Sequence, residues 1–366
     1  MKKYDIAAYV WPAYTGDEPR TRMFWPEGIG EWQTVKNQKQ KQCGYFWNRK
    51  PVWGYVNEAD PYVMSMQIDA AADHGVNVFI YDWYWYDRRP FLENCLNDGF
   101  LKAPNNKRMK FYLMWANHDV GQTWDIRTSS DVDATIWEGK VDRGQFEIIG
   151  KRWLEKYFTL DNYYKIDGKP VVSIYDLCNF VASFGGAKET KDAMQWLDRE
   201  ARKYDLPGVH FQFIRWSADT ENLSGVDNNV METGAELMEL LGFVSLTHYQ
   251  FVHFANIDRD YAEIMEDVKQ EWEEINSEYA IPYYPHVSIG WDNNPRFLEF
   301  RNGIVRNNPP EQFEKALRAA KEFADRTGVS LITINSWNEW TETSYLEPDS
   351  KYGYGYLQAV KKVFSD

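Results

Sequence analysis

Eight short apolar runs recur along the chain, separated by segments with the residue spacing of helices. Most of the runs are continuously apolar, not alternating, which is typical of parallel strands covered on both faces. We predict strands over residues 4–10, 76–83, 110–115, 170–175, 208–215, 242–249, 283–290 and 330–336.

The segments between the predicted strands carry helix start and stop signals. Asp60 provides an N-cap, Pro61 a first-turn proline, and Gly75 an end to the helix that they open. No glycine-rich phosphate turn follows the first strand, which disfavours a doubly wound sheet. Eight strand–helix repeats in 366 residues instead predict one α/β domain, residues 1–366, folded as a single (β/α)8 TIM barrel. Further helices are predicted over residues 257–279, from Pro309 to Gly328 and over residues 355–364.

Loop lengths give the predicted barrel an orientation. The helix-to-strand links are short, as at His74-Gly75, whereas the strand-to-helix links include long segments over residues 11–59 and 116–144. Long ordered loops in a compact domain are usually functional. These long βα loops fall on the C-terminal face, where barrel enzymes place their sites, so we expect the site there.

Aromatic residues are unusually frequent, at 17% of the chain, and many stand at the ends of the predicted strands. A single tryptophan at a strand end is as readily a plug of the barrel top as a ligand contact. The whole set is better explained as an aromatic ring around a sugar-binding cleft, because the apolar faces of pyranoses stack on such rings. The candidate binding residues at the strand ends are Trp11, Trp83, Trp115, Tyr175, Asp176, Trp216, His248, Tyr249, Trp291 and Trp337.

Two carboxylates, Glu339 and Glu342, follow the eighth predicted strand at once. Cleavage of a glycosidic bond needs two such groups, one to protonate the leaving oxygen and one to act on the opposite side of the sugar. The neighbouring indoles of Trp337 and Trp340 are expected to exclude water from the pair and to raise a pKa for the acid role. The alternative is a solvated polar loop, which the number of indoles disfavours.

Further polar residues follow other predicted strands on the same face. Asn117 and His118 come after strand three and offer partners for sugar hydroxyls, as does Asn338 beside the glutamates. Asp292 and Arg296 come after strand seven, where they either bind substrate or form an ion pair that holds the loop. The remaining candidates for hydroxyl binding are Asp82 and Asp176.

Charge and residue spacing argue against several other classes of function. The formal net charge of −14 disfavours a nucleic-acid partner. The three cysteines match no zinc or redox motif, and no two of the six histidines have zincin spacing, so we predict neither a metal nor a cofactor. His118, His248 and His286 nevertheless fall near the predicted face and keep a metal site open as an alternative.

Targeting signals leave the compartment open. No apolar stretch reaches the length of a membrane span, so we expect no membrane partner. No signal-peptide core precedes the first predicted strand. The compartment is therefore the cytoplasm or, if a leader has been removed, the periplasm or the exterior.

The segment around the two glutamates resembles the signature of a known family. The run from Asn335 to Glu342, followed by Tyr345-Leu-Glu-Pro-Asp349 and Tyr352-Gly-Tyr354, is similar to that of the WbsX-type proteins, which are related to the endo-α-mannosidases of glycoside hydrolase family 99. Shorter matches in the same order, such as Gly30-Glu-Trp32, extend the resemblance over the whole chain.

The resemblance implies a (β/α)8 barrel without a metal requirement, with Glu339 as the base and Glu342 as the general acid. In family 99 the base deprotonates the sugar's own 2-hydroxyl, which attacks the anomeric carbon, so the configuration is retained. One departure concerns strand three. WbsX-type chains usually continue its Ala-Asn with Glu-Asn-Trp-Thr-Arg, whereas here Asn117 is followed by His118-Asp-Val-Gly121, which predicts an altered sugar subsite.

The residues and the resemblance together predict a retaining glycoside hydrolase that cleaves an α-linked, mannose-like oligosaccharide or polysaccharide internally. Because the family is also labelled glycosyltransferase, a transferase of polysaccharide biosynthesis is the first alternative. The second alternative is a catalytically silent barrel that binds a glycan and leaves it intact.

Overall fold

The computed structural model describes residues 3–16, 18–130, 134–216 and 234–364. Each of the eight predicted runs forms a strand, and we number these strands β1 to β8 in chain order. They are buried along nearly all of their length, as expected of continuously apolar runs. The strands are β1 Asp5–Val10, β2 Val78–Tyr86, β3 Lys110–Trp115, β4 Lys169–Ile174, β5 His210–Arg215, β6 Ser245–His248, β7 His286–Ser288 and β8 Leu331–Asn335.

The strands form a parallel ring. From β1 to β6 each strand pairs with the next along the chain, β7 pairs with β8, and β8 returns to pair with β1. Ala8 of β1, for example, lies between Phe79 of β2 and Ile334 of β8. A parallel bridge between Leu246 and Tyr283 joins β6 to the residues before β7 and completes the ring. The predicted (β/α)8 TIM barrel is confirmed.

Helices cover the outside of the barrel, and the predicted caps are present. The Asp60 side chain accepts a hydrogen bond of 2.8 Å from the backbone N–H two residues on, and Gly328 ends its helix with a φ of 78°. The helix predicted over residues 257–279 begins later, at Tyr261, because Asp260 still has extended backbone. The helices are α1 Trp32–Lys36, α2 Pro61–Asp73, α3 Arg143–Trp153, α4 Leu177–Phe184, α5 Ala187–Arg202, α6 Gly234–Leu241, α7 Tyr261–Glu278, α8 Pro310–Thr327 and α9 Gly355–Phe364. In the described ranges, none of them has both the length and the apolarity that crossing a membrane requires.

Polar side chains fill part of the barrel interior and hydrogen-bond to one another. His286 lies between the Thr333 and Ser288 hydroxyls, 2.9 Å from each, and Thr247 Oγ1 lies 2.8 Å from Thr333 Oγ1. Burial lowers the pKa of His286 well below its usual range, so this histidine is neutral. His286 therefore belongs to the packing of the barrel interior.

The long strand-to-helix segments lie where the sequence predicts them. β1 ends at Val10 and α2 begins at Pro61, while β3 ends at Trp115 and α3 begins at Arg143. Because all eight strands run in the same direction, these segments meet at the C-terminal face of the barrel. They surround the ends of the strands and form one cavity there together with the segment after β8.

Candidate active site

The segment after β8 folds back on itself as a short hairpin. Asn338–Glu339 pairs antiparallel with Ser344–Tyr345, and a 3-10 turn over Trp340–Glu342 joins the two. Thr343 ends the turn with a φ of 58°, in the left-handed region that branched residues rarely adopt. We call residues 338–345 the acidic hairpin, because Glu339 directly precedes the turn and Glu342 is its last residue.

Hydrogen bonds fix the base of the acidic hairpin to the barrel. The Trp337 backbone N–H donates to the Tyr9 carbonyl of β1 at 2.7 Å. The Ser336 hydroxyl donates to the Ser344 carbonyl at 2.6 Å and accepts from the Glu339 N–H at 2.7 Å. The position of Glu339 is therefore determined by backbone contacts to the closing strands as well as by its side chain.

Glu339 has a hydrogen-bond donor at each carboxyl oxygen. Its Oε1 lies 3.1 Å from the Tyr249 hydroxyl, and its Oε2 lies 3.3 Å from Arg296 Nη2. The residue is only 3% exposed. Donors at both oxygens stabilise the ionised form of a buried carboxyl.

Glu342 is held at one oxygen only. Its Oε1 accepts from Arg296 Nη1 at 2.6 Å, whereas its Oε2 has no hydrogen-bond partner among the described residues. The residue is 8% exposed. A buried oxygen without a donor is costly for a carboxylate and less costly for a neutral acid. The contacts of Glu342 therefore favour its protonated form.

Arg296 joins the two glutamates to a third carboxyl. Its Nε donates to Glu31 Oε1 at 3.1 Å, and Glu31 Oε2 accepts from the Trp11 indole at 2.6 Å. Each of the three guanidinium nitrogens thus faces a different carboxyl group. The sequence-based alternative of an ion pair between Asp292 and Arg296 is wrong, because Asp292 instead accepts from the Tyr45 hydroxyl at 2.7 Å.

Burial and the charge of Arg296 have opposite effects on the pKa values of the two glutamates. Burial raises the pKa of Glu339 and of Glu342 above the usual range of a carboxyl. Repulsion between the two carboxyls when both are ionised raises the pKa of Glu339 further, and the Arg296 guanidinium lowers the pKa of both. Two buried carboxyls this close titrate as a pair. The pKa of Glu339 is raised more than that of Glu342, but Glu339 has a donor at each oxygen and Glu342 at only one, so the hydrogen bonds favour the charge on Glu339 and the proton on Glu342.

A cavity of about 310 Å³ opens beside these carboxyls, at the lower end of the size range of small-molecule sites. Aromatic rings from several strands and loops form its walls, and carboxyl groups lie at one side. Its lining residues are Trp11, Asp82, Tyr84, Met114, Ala116, His118, Asp119, Thr123, Trp124, Tyr175, Trp216, Tyr249, Arg296, Glu339 and Glu342.

The structure brings together nine of the eighteen residues that the sequence singles out as catalytic or binding residues, and it adds Tyr84. Tyr84 lies two residues after Asp82 on β2, and the alternation of a strand places both on the inner face. Trp124, from the long loop after β3, also lines the cavity, with its ring centroid 5.2 Å from that of Trp11. The predicted residues in the cavity wall are Trp11, Asp82, His118, Tyr175, Trp216, Tyr249, Arg296, Glu339 and Glu342.

Two strand-end tryptophans predicted to face the cleft lie elsewhere. The Trp83 indole donates to Glu93 at 2.8 Å, and its ring stacks with that of Trp85. The prediction is wrong because β2 continues to Tyr86, so Trp83 is an interior strand residue on the outer face. Trp115 likewise packs outside the barrel, 6.0 Å from the ring of Phe146 on α3.

The other predicted residues of the acidic hairpin and its base pack beneath the two glutamates and do not line the cavity. The Trp337 indole donates to Gln67 at 3.2 Å, and Trp340 stacks on Tyr345 at 3.8 Å. The Asn338 amide accepts from the Trp11 backbone N–H at 2.7 Å. Neither Trp337 nor Trp340 lines the cavity, so the structure does not place these indoles between the acids and the open side of the site.

Three more predicted binding residues hold the loops. The Asn117 amide donates to the Asp176 carbonyl at 2.7 Å, and the Asp176 side chain caps α4 by accepting from the Asn179 N–H at 2.8 Å. His248 Nδ1 lies 2.8 Å from the Tyr283 hydroxyl inside the barrel wall. None of the three lines the cavity, because a polar side chain at a strand end often satisfies neighbouring backbone groups.

Trp291 and Asp292 line a different depression, of about 520 Å³, on the far side of the acidic hairpin. Thr343 separates it from the first cavity: the Trp47 indole donates to the Thr343 hydroxyl at 2.8 Å. Arg49 and Arg306 also contribute to this second groove. The Asp292 backbone N–H donates to the Glu342 carbonyl at 2.8 Å, so the two predicted residues after β7 lie close to the acids in space but outside their cavity.

A second pair of acids lies beneath the acidic hairpin. Glu58 and Glu347 are both buried, and the Gln67 amide donates to Glu58 at 3.1 Å and to Glu347 at 2.8 Å. Asn338 also donates to Glu58 at 2.9 Å, and the Trp340 indole donates to Glu347 at 2.6 Å. Burial raises the pKa of Glu58 to about 7 and that of Glu347 well above its usual range. The residues on either side of Glu339 are therefore anchored to this pair.

The histidines near the face do not assemble into a metal site. His118 Nδ1 lies 2.8 Å from the Asp119 carbonyl, and His253 stacks on Trp216 with ring centroids 4.4 Å apart. In the part of the chain that the structure describes, no group of three or more histidine, cysteine, aspartate or glutamate side chains is placed to hold a metal ion.

Solved structures with this fold include carbohydrate-active enzymes. The glycoside hydrolase family 99 endo-α-mannosidase of Bacteroides thetaiotaomicron superposes with a TM-score of 0.63 at 14% identity, with 100% of this chain and 97% of that chain covered. A glycoside hydrolase-like protein superposes with a TM-score of 0.61 at 15% identity, with 100% and 94% covered. At these identities the similarity shows the fold alone.

Curated relatives are longer than this chain. Two proteins of Xanthomonas campestris pv. campestris, from strains ATCC 33913 and B100, each called uncharacterized protein WxcX, are 22% identical to it over 351 residues. The match covers 95% of this chain and 48% of each relative. The chain thus spans about half the length of the curated relatives it matches.

The family assignment rests on a match to nearly the whole chain. The family model described as "Glycosyltransferase WbsX" matches residues 6–360, which include every barrel strand except the first residue of β1 and also include the acidic hairpin. The chain therefore belongs to the WbsX family.

Proposed function

We propose that this protein is a retaining glycoside hydrolase that cleaves α-linked, mannose-like glycans. The observation that carries the proposal is the unequal bonding of two carboxyls beside one cavity. Glu339 has donors at both oxygens, whereas Glu342 has one oxygen to which no described residue donates. A hydrolase of this kind needs one ionised and one protonated carboxyl at the same time.

Glu342 supplies the proton in the first step. It protonates the glycosidic oxygen as the bond from that oxygen to the anomeric carbon breaks, and so the leaving sugar departs as a neutral alcohol. Glu339 acts on the other side of the ring. By analogy with family 99, it takes the proton of the 2-hydroxyl, whose oxygen then bonds to the anomeric carbon to give a 1,2-anhydro sugar.

The second step reverses these roles. Glu342, now ionised, takes a proton from water, and the water oxygen attacks the anomeric carbon and opens the three-membered ring. Glu339 returns its proton to the 2-oxygen. Two inversions at the anomeric carbon leave its configuration unchanged, and both carboxyls regain their starting charge.

The cavity supports a sugar as the ligand. Trp11, Tyr84 and Trp124 offer aromatic faces on one side, and the carboxyl groups offer acceptors for hydroxyls on the other. The guanidinium of Arg296 already faces three carboxyls, so among the described residues of the cavity wall no free guanidinium or ammonium group favours an acidic sugar. The cavity lies open to the C-terminal face, which suits internal cleavage of a longer chain.

A glycosyltransferase is the second candidate, because the family model carries that description. The two functions differ in the sugar donor, which is a glycan for the hydrolase and a nucleotide sugar for the transferase. We expect the protein to hydrolyse members of a panel of α-linked oligosaccharides and polysaccharides, with new reducing ends detected by mass spectrometry. Transfer from a nucleotide sugar without hydrolysis would overturn the proposal. Binding of intact glycan through long incubation would instead indicate a silent glycan-binding barrel.

A further inference from the structure

One tyrosine links the proposed base to a third carboxyl of the cavity. The Tyr249 hydroxyl lies 3.1 Å from Glu339 Oε1 and 3.0 Å from Asp82 Oδ2. Asp82 is 4% exposed and stands on the inner face of β2. The Tyr249 ring is fixed by edge contacts with Tyr9 at 4.8 Å and Tyr175 at 5.3 Å. The hydroxyl is therefore held between the two carboxyls by packing.

The number of protons in this chain of three groups follows from its geometry. The hydroxyl group of a phenol has one hydrogen, so it donates to only one acceptor at a time. Burial raises the pKa of Tyr249 well above its usual range, so the phenol keeps its hydrogen. The second short contact then needs a hydrogen from a carboxyl. One of Asp82 and Glu339 is protonated and donates to the tyrosine oxygen, and the other accepts from it.

The charged neighbours decide which carboxyl holds the proton. Glu339 accepts from Arg296, and it also faces Glu342 and Glu31. Asp82 has no cationic partner among the described residues; its Oδ2 contacts only Tyr249, and its Oδ1 has no hydrogen-bond partner. Burial raises the pKa of Asp82 well above its usual range. An unpaired buried carboxylate is the costlier form, so the charge is on Glu339.

We propose that Asp82 is a positioning residue of the reaction. In its neutral form Asp82 donates a hydrogen bond to the Tyr249 oxygen. The hydroxyl hydrogen of Tyr249 then points toward Glu339 and keeps that base ionised. This inference rests on the proposed function and assigns to it two residues, Asp82 and Tyr249, that do not take part in bond breaking. The chain runs Asp82 O–H to Tyr249 oxygen, then Tyr249 O–H to Glu339.

Substitutions at position 82 separate a neutral aspartic acid from an ionised one. Asp82→Asn keeps a donor toward Tyr249 and an acceptor at the other position, as neutral Asp82 does. We expect it to leave kcat within about threefold of the wild type and to leave the acid limb of the kcat/KM–pH profile in place. Asp82→Leu has a similar shape without the donor, so we expect about tenfold lower kcat with little change in KM.

Tyr249→Phe removes the donor to Glu339. We expect the pKa of Glu339 to rise, so the acid limb moves to higher pH. The proposal is overturned if Asp82→Asn shifts that limb to lower pH, because this result would mean that an ionised Asp82 had kept a proton on Glu339. It is also overturned if Asp82→Asn loses as much kcat as Asp82→Leu.

An infrared measurement tests the proton on Asp82 without any turnover. The difference spectrum of wild type minus Asp82→Asn at neutral pH should contain the carbonyl stretch of a buried protonated carboxyl. A carboxylate band in its place would overturn the inference. Because this measurement needs no substrate, it remains decisive if the protein hydrolyses no glycan, an outcome that would reject the proposed function alone.

Discussion

Arg296 donates to one oxygen of Glu342 at 2.6 Å, and the other oxygen of that carboxyl has no hydrogen-bond partner in the described part of the chain. The same guanidinium reaches Glu339 at 3.3 Å, where a tyrosine completes the bonding of the carboxyl. Two glutamates three positions apart in sequence therefore have different environments. The difference arises from residues that lie far from both of them in the chain.

Substitution of the two glutamates should give different losses. For Glu342→Gln we expect about a hundredfold or greater loss of kcat on glycans with a sugar leaving group, because no acid remains to protonate the departing oxygen. An aryl glycoside with an acidic phenol as its leaving group needs no such proton and should still be cleaved. For Glu339→Gln we expect the loss on both substrates, since the base is missing.

The matched control for these variants is Glu322→Gln, an exposed glutamate on α8. It should have wild-type kinetics on both substrates. Equal losses for Glu342→Gln on the sugar and aryl leaving groups would contradict the acid role. Both catalytic variants should still bind oligosaccharide in calorimetry.

Removal of the guanidinium should move the pH dependence of the reaction. Arg296 lowers the pKa of Glu339, so in Arg296→Gln this pKa rises and the base is ionised only at higher pH. The acid limb of the kcat/KM–pH profile should shift upward. The fold should also lose about 3–5 kcal/mol, because buried charges lose their partner. Arg318→Gln, which breaks an exposed pair with Glu314, should do neither.

The aromatic wall should contribute to affinity for the glycan. Trp216 is half-buried in the cavity wall, and Trp291 is half-buried in the second groove. Trp216→Ala should weaken oligosaccharide binding by about tenfold, or about 1.4 kcal/mol, through loss of ring stacking. Trp291→Ala is the control and should weaken it much less. Calorimetry with catalytically inactive protein measures both, and equal losses would place the sugar in both depressions.

The buried acid pair below the hairpin should make stability fall as pH rises. Glu58 has a pKa raised to about 7, above that of an unfolded glutamate at about 4.3, so the folded state binds the extra proton between these values. The contribution of Glu58 to the free energy of unfolding is fully present below about pH 4.3 and is lost as pH rises through about 7. Thermal unfolding from pH 5 to 8 should show a falling Tm.

Variants of the pair identify which acid keeps the proton. The interaction between them lowers the pKa of Glu58 and raises that of Glu347, so Glu58 ionises as pH rises through about 7 while Glu347 keeps its proton. Glu347→Gln mimics that neutral partner, so the fall of Tm with pH should remain in this variant. Glu58→Gln removes the titrating group and sets an amide against the donors of Asn338 and Gln67, so its Tm should be lower at pH 5 and should fall less between pH 5 and 8. The same fall of Tm in wild type and Glu58→Gln would rule out this assignment.

The barrel could be predicted from sequence because its signals are local. Continuous apolar runs give strands, and caps such as Asp60 give helix starts, independently of what the elements pack against. The two acids could be predicted for the same reason, since they follow β8 directly. The direction of an aromatic side chain depends on strand alternation, and so an error of three residues in the end of β2 assigned Trp83 to the cleft and left Tyr84 out.

The electrostatics of the site could not be predicted, because they depend on contacts between distant segments. Arg296 meets Glu31, which lies 265 positions earlier, and Tyr249 meets Asp82, which lies 167 positions earlier. No periodicity or spacing encodes such pairs. The unequal bonding of Glu339 and Glu342 follows from the positions of Arg296 and Tyr249, which these distant contacts help to fix.

The most direct test of the account is the anomeric configuration of the first product formed from an α-linked mannose-like glycan, followed by NMR during the reaction. We expect wild-type protein to release the α-anomer, which then mutarotates, and Glu342→Gln to release none on the same time scale. Release of the β-anomer, or no release of reducing sugar by the wild type on any α-linked glycan of the panel, would contradict it.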